Sequence, residues 1–174
     1  MLDRAVTFRD AVPDDAARLS AIGRDTFTET FGSLYKPSDL KSFLDQSFSE
    51  EKQLAEILDD TVDIRLASAG GKLLGFCKIG PVKLPFEHDP DTSLELHRLY
   101  IRGSTQGVGV GRILLTWAIE QARSRGATKL YLGVWESNHK AIAVYASRGF
   151  EAVGDYKFKV GTAIDDEIIM RLDF

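Results

Sequence analysis

Residues Leu94 to Gly126 read LELHRLYIRGSTQGVGVGRILLTWAIEQARSRG, and their pattern decides the fold. A short apolar strand ends at Ile101, and the loop after it carries Gly103, Gly107, Gly109 and Gly111, with Gln106 ahead of the last three. Val110, Leu114, Trp117, Ala118 and Ala122 then recur at the spacing of one buried helix face. Arg123 and Arg125 in the last turn, with Gly126 after it, mark the helix C-terminus. Strand, glycine loop and helix make a phosphate-binding arrangement. Residues without side chains let an anion approach the main chain. The first-turn N–H groups lack intrahelical partners, and the helix dipole adds about half a positive charge there.

Spacing decides which phosphate ligand. A P-loop needs G-x-x-x-x-G-K-S/T, but Gly111 is followed by Arg112 and Ile113. A dinucleotide fingerprint needs G-x-G-x-x-G, and counting from Gly107 puts Arg112 at the third glycine. The loop instead matches Q/R-x-x-G-x-G/A through Gln106, Gly107, Val108, Gly109, Val110 and Gly111. It resembles the acetyl-CoA loop of the GNAT N-acetyltransferase superfamily, and the preceding ELHRLYI and later NHKAIAVYASRGF match that superfamily in order and distance. The resemblance implies a GNAT fold, an α/β domain with one mixed central sheet flanked by helices and a splayed strand pair holding acetyl-CoA.

The 174 residues suffice for one domain, residues 1–174, with a sizeable core. At 44% hydrophobic and 28% charged, the composition is that of a globular protein without repeats or low-complexity runs. No apolar stretch approaches a membrane span and the first residues lack a signal-peptide core, so a cytoplasmic location is expected. The single cysteine, Cys77, lies in an apolar strand pattern and reads as a structural thiol. A net charge of −4 argues against nucleic acid as the main partner and is compatible with a cationic acceptor.

Along the chain, Ala5–Ala11 alternates as a strand, and Pro13-Asp14-Asp15 starts a helix running to about Thr28. Gly32 and Pro37 interrupt it, Ser38 or Asp39 caps a second helix, and Glu50–Leu58 forms a third. Thr61–Ala69 and Leu73–Val82 form a hairpin about Gly70-Gly71, followed by a polar loop from Lys83 to Thr92. After the long helix come a strand at Lys129–Val134, a helix at Asn138–Arg148 capped by Gly149, and strands at Phe150–Val160 and Glu167–Leu172, joined by a turn over Gly161–Asp166. The order gives a mixed sheet, not a doubly wound parallel one.

Acetyl transfer to an amine requires that the donor be held, the amine lose a proton, the oxyanion be stabilised and the departing thiolate be protonated. Pyrophosphate binding falls to the main-chain amides of Gly107 through Arg112, with Arg112 or Arg102 adding charge. The resemblance implies that Leu99, Tyr100 and Ile101 pair with the pantetheine arm through their backbone, while their side chains are free to pack a core. Asn138, Ile142 and Tyr145 share a helix face. The pattern N-x-x-A/I-x-x-x-Y-x-x-x-G-F is met by Asn138, Ala141, Tyr145, Gly149 and Phe150, and it implies that Asn138 contacts pantetheine and Tyr145 is the general acid. Asn138 reads equally as an N-cap. Many superfamily members place a base in the central strand, where Glu95 stands; His97, two residues on, is the second candidate. No metal-ligand spacing is present.

Residues 25–44, DTFTETFGSLYKPSDLKSFL, and the tail GTAIDDEIIMRLDF look like the bacterial spermidine/spermine acetyltransferase branch. That likeness implies that Thr26, Phe27, Glu29, Thr30 and Phe31 line the acceptor side, with Glu29, Glu87, Asp89 and Asp91 as candidates to attract a cationic amine. The expected partner is thus a small-molecule amine, with polyamines as the example the likeness suggests; a peptide amine, or a non-catalytic acyl-CoA-binding module, is the alternative. Sheet edges near the C-terminal strands are compatible with a homodimer.

Overall fold

The structure, a computed structural model, describes residues 5–174. Strand β1 (Thr7–Asp10) leads through a single 3-10 turn at Pro13–Asp15 into α1 (Ala16–Phe31), followed by α2 (Pro37–Ser47) and α3 (Glu50–Ile57). Then come β2 (Asp63–Ala69), β3 (Lys72–Gly80), β4 (Ser93–Ile101), α4 (Val110–Ser124), β5 (Lys129–Trp135), α5 (His139–Ser147), β6 (Glu151–Val160) and β7 (Ala163–Asp173). The Asp15 carboxylate fixes the entry to α1: it accepts from Arg9 at 2.7 and 2.8 Å and from the Val12 amide at 2.8 Å.

Three expected boundaries move. Helix α1 continues to Phe31 and ends in a 3-10 turn at Gly32–Leu34. Helix α2 is capped by Lys36 with Pro37 in its first turn, not by Ser38 or Asp39. The Asp39 carboxylate instead accepts from the Thr162 amide and hydroxyl at 2.8 and 2.9 Å, docking the tip of the β6–β7 hairpin on α2. That tip is tighter than expected, so β7 begins at Ala163 rather than Glu167. The β2–β3 turn matches expectation. Gly70 and Gly71 both have positive φ, 58° and 79°, as a two-residue hairpin turn requires.

The seven strands form one sheet in the order β1-β2-β3-β4-β5-β7-β6, and every neighbouring pair is antiparallel except β4–β5. Helix α4 lays Leu114, Leu115, Ala118 and Ala122 on one face, against Cys77, Leu96 and Leu130. The other face is covered by α1 and α2 through Leu19, Ile22, Phe27 and Phe43, with Phe48 just after α2 and Ile57 of α3 joining the same cluster, against Leu66 and Phe76. Strand β3 is therefore buried on both sides, and Cys77 is fully enclosed, with burial raising its thiol pKa.

Candidate active site

Strands β4 and β5 pair only over Ser93–Lys129, Leu94–Leu130 and Glu95–Tyr131, and then part. At the same place β4 carries a bulge: Leu96 faces Ile79 and Arg98 faces Lys78, leaving His97 over. An extra residue increases local twist. It also shifts the pleat, so the core-facing positions change from Leu94 and Leu96 to Leu99 and Ile101. The opening between the strands is a cleft of about 1060 Å³, walled by Leu96–Ile101 on one side and Leu132–Trp135 on the other.

The glycine loop closes one end of the cleft. Gly107, Gly109, Gly111, Gln106 and Arg112 line it, together with Asn138, Ala141 and Tyr145 from α5. Gly109 caps α4 with φ of 88°, and Gly107 has φ of 86°; a Cβ at either would meet nothing within 4 Å. The loop is thus a main-chain cradle at a helix N-terminus, open where a phosphate needs it. Val110 is buried in the core and Val108 is exposed outside the cleft lining, so these two can contribute only through their main chain. Arg102 is engaged elsewhere, with Asp25 at 3.0 Å and the Leu73 carbonyl at 2.9 Å. Lys140, which the sequence reading missed, reaches Gln106 at 3.4 Å and adds positive charge beside Arg112.

Glu95 and His97 line the middle of the cleft. Glu95 Oε2 accepts from the Lys83 and Leu84 amides at 2.6 and 3.2 Å, which fixes the carboxylate. Burial raises its pKa, opposed by those two donors. His97 Nε2 lies 2.7 Å from the Pro81 carbonyl, so that nitrogen carries the proton. Burial pushes the imidazole pKa down to about 4, and it is neutral at physiological pH. Asn138 does cap α5, accepting from the Ala141 amide at 3.3 Å, while also lining the cleft. Tyr145 packs its ring on Phe150, and burial pushes its phenol well above the ordinary value. Its hydroxyl keeps its proton at neutral pH.

Residues 25–150 match the family model described as the acetyltransferase (GNAT) family. The chain belongs to the GNAT family. An uncharacterized N-acetyltransferase in the pepI 3′ region of Lactobacillus delbrueckii subsp. lactis is 31% identical over 90% of this chain and 91% of its own. A spermidine N(1)-acetyltransferase of Thermoplasma acidophilum is 24% identical over 84% of this chain and 89% of its own. The PaiA N-acetyltransferase of Thermoplasma acidophilum, solved in complex with coenzyme A, superposes with a TM-score of 0.80 at 21% identity, covering 98% of this chain and 99% of that one. The protein is an N-acetyltransferase, and acetyl-CoA is its acyl donor.

In this GNAT enzyme Thr26, Phe27, Glu29, Thr30 and Phe31 of α1 also line the cleft. Glu29, however, spends its Oε2 on the Gly103 amide at 2.8 Å. Glu87, Asp89 and Asp91 fall outside the cleft lining, because the 81–92 loop turns away after Pro85. The carboxylates that do line it are Glu56, Glu95, Asp165 and Glu167 besides Glu29. Glu56 pairs with buried Lys78, whose pKa burial lowers to about 8. The strand alternation of DDEII offered a signal for Asp165 and Glu167, but their burial depends on β7 lying between β5 and β6. Among the described residues, no group of three or more His, Cys, Asp or Glu could hold a metal ion, and no helix is long and apolar enough to cross a membrane.

Proposed function

We propose that this enzyme acetylates a primary amine of a small molecule, with polyamines such as spermidine or spermine as the acceptor class, by direct attack in a ternary complex. The observation that carries the reading is the parting of β4 and β5 beyond Glu95 and Tyr131, with Glu95 on one wall and Tyr145 on the other. Acetyl-CoA supplies an acyl group on a sulfur that leaves as a thiolate. Gly107 through Arg112 bind its phosphates through main-chain amides, assisted by Arg112 and Lys140. The β4 backbone past Leu96, freed from β5, offers strand-edge donors and acceptors to the pantetheine arm, and the free amide of Asn138 adds a side-chain contact.

Glu95 is the base. Its Oε2 is held by two amides, leaving Oε1 to take a proton from the amine through water, and its raised pKa strengthens it as a base. His97, with its pKa near 4 and one nitrogen committed to Pro81, is the poorer base and serves to wall the site. Tyr145 holds the proton that the sulfur needs. The likeness to a spermidine acetyltransferase over most of both chains supports the polyamine class. Residence among cytoplasmic amines fits the same reading.

The test is thiol release from acetyl-CoA against a panel of polyamines, monoamines and peptides. Release that depends on polyamines supports the reading. Release with peptide amines alone would make the acceptor a protein.

A further inference from the structure

We propose that Glu167 and Asp165 determine acceptor specificity by seating a second cationic nitrogen of the amine substrate, an inference that rests on the small-amine reading above. Strand alternation turns both carboxylates into the cleft, while Asp166 between them pairs outside with Lys157. Each is held by a phenol from a different element. Tyr35, ahead of α2, donates to Asp165, and Tyr156 of β6 donates to Glu167. Among the described residues neither carboxylate has a cation within 4.0 Å, whereas Glu56 in the same cleft is paired with Lys78. A partly buried carboxylate hydrogen-bonded to a neutral phenol is only partly compensated: burial raises the Glu167 pKa, opposed by the Tyr156 hydrogen bond and by the more distant Arg98 guanidinium. A ligand cation in direct contact would add the close partner that neither carboxylate has among the described residues.

The fold gives up packing to place this pair. Gly133 lies in the middle of β5, where a glycine weakens a strand. A Cβ there would stand 2.5 Å from the Tyr156 hydroxyl and 3.1 Å from Glu167 Oε2. The missing side chain is the room in which the phenol and carboxylate sit. Trp135, on the same wall, adds an aromatic surface that favours a cation. Tyr156 is within electrostatic reach of both Glu95 and Glu167. One molecule can therefore present its reacting nitrogen to Glu95 and a second, charged nitrogen to β7.

Butylamine, putrescine and γ-aminobutyrate share a reacting end and differ in the far group, which is a methyl, an ammonium or a carboxylate. With acetyl-CoA and thiol detection, kcat/KM for putrescine should exceed both others by about 10-fold or more, the scale of a hydrogen-bonded charge. The ratio of putrescine to butylamine should collapse toward one in Glu167→Gln, chiefly through KM, and shrink in Tyr156→Phe and Asp165→Asn. Taking the ratio within each variant cancels any general loss of folded enzyme. Equal rates for putrescine and butylamine in the wild type, or an undiminished ratio in Glu167→Gln, would overturn the inference. Preference for γ-aminobutyrate would also overturn it, assigning the far group to the Arg98 guanidinium, which lines the same half of the cleft. Turnover of a peptide amine with no turnover of any small amine would instead remove the small-amine reading beneath it.

Discussion

Two alanine substitutions two residues apart should separate the conformational role of the glycine loop from its ligand role. Gly109 caps α4 at φ of 88°, and its Cβ would meet nothing within 4 Å, so alanine there is penalised by the backbone alone. An L-residue in the left-handed region costs about 1–2 kcal/mol. For a chain of this size, about 1 kcal/mol moves Tm by about 2–4 °C, so Gly109→Ala should lower it by about 2–8 °C. Gly111 differs. It lies in the first turn of α4 without a positive φ, and its Cβ would sit 3.5 Å from Ile101 Cγ1, an ordinary contact. Alanine in a helix is up to about 1 kcal/mol better than glycine, so Gly111→Ala should leave Tm unchanged or raise it slightly. Yet Gly111 lines the cleft. A methyl group that displaces one charge-assisted hydrogen bond to phosphate removes about 1.5–3 kcal/mol of binding, roughly 10- to 100-fold in Kd. Scanning calorimetry gives the two Tm values, and isothermal titration with coenzyme A gives the affinities. Wild-type affinity in Gly111→Ala would refute close approach of the main chain to the phosphates there.

Tyr145→Phe removes one oxygen and little packing, so fold and coenzyme A affinity should persist while the single-turnover rate falls by about 100-fold; a wild-type single-turnover rate would leave Tyr145 a packing residue. Glu95→Gln should depress turnover near neutral pH and less at high pH, where more amine is already deprotonated, and it should remove the acid limb that the raised Glu95 pKa gives the wild type. Because that pKa is raised on folding, the residue's stabilising contribution is full below its unfolded value and is lost as pH climbs through the folded one. The Tm of Glu95→Gln relative to wild type should accordingly rise as pH climbs above the ordinary carboxylate range, as melting curves from acid to neutral pH will test. Lys78→Met strands the Glu56 carboxylate at a site where both side chains are about nine-tenths buried, and chemical denaturation should show a loss of about 3–5 kcal/mol, mostly recovered by adding Glu56→Leu.

Much of the cofactor end was legible in the sequence because its determinants are local. Gly109 at an N-cap with positive φ, Asn138 capping α5, and the Gly70-Gly71 turn are each decided within a few residues by sterics and capping. The bulge in β4 left a trace that strict alternation concealed. In LELHRLYI the apolar residues fall on Leu94 and Leu96 and then on Leu99 and Ile101, a change of phase that only an inserted residue at His97 reconciles with one core face.

The far end of the cleft was decided by tertiary structure. The likeness to the spermidine/spermine acetyltransferase branch put forward Glu29, Glu87, Asp89 and Asp91, but the last three lie on a loop that leaves the cleft, and Glu29 is used to hold Gly103. Asp165 and Glu167 enter because β7 inserts between β5 and β6, and because Asp39 and Tyr35, more than a hundred residues earlier, pin that hairpin against the helices. The sequence by itself determined the strand, the loop, the caps and the alternation, since each follows from bonded geometry and side-chain shape over a turn or two. Which carboxylates line the cleft was settled by strand order and register, because a side chain's solvent and partners are set by the packing of segments that the chain brings together only when it folds.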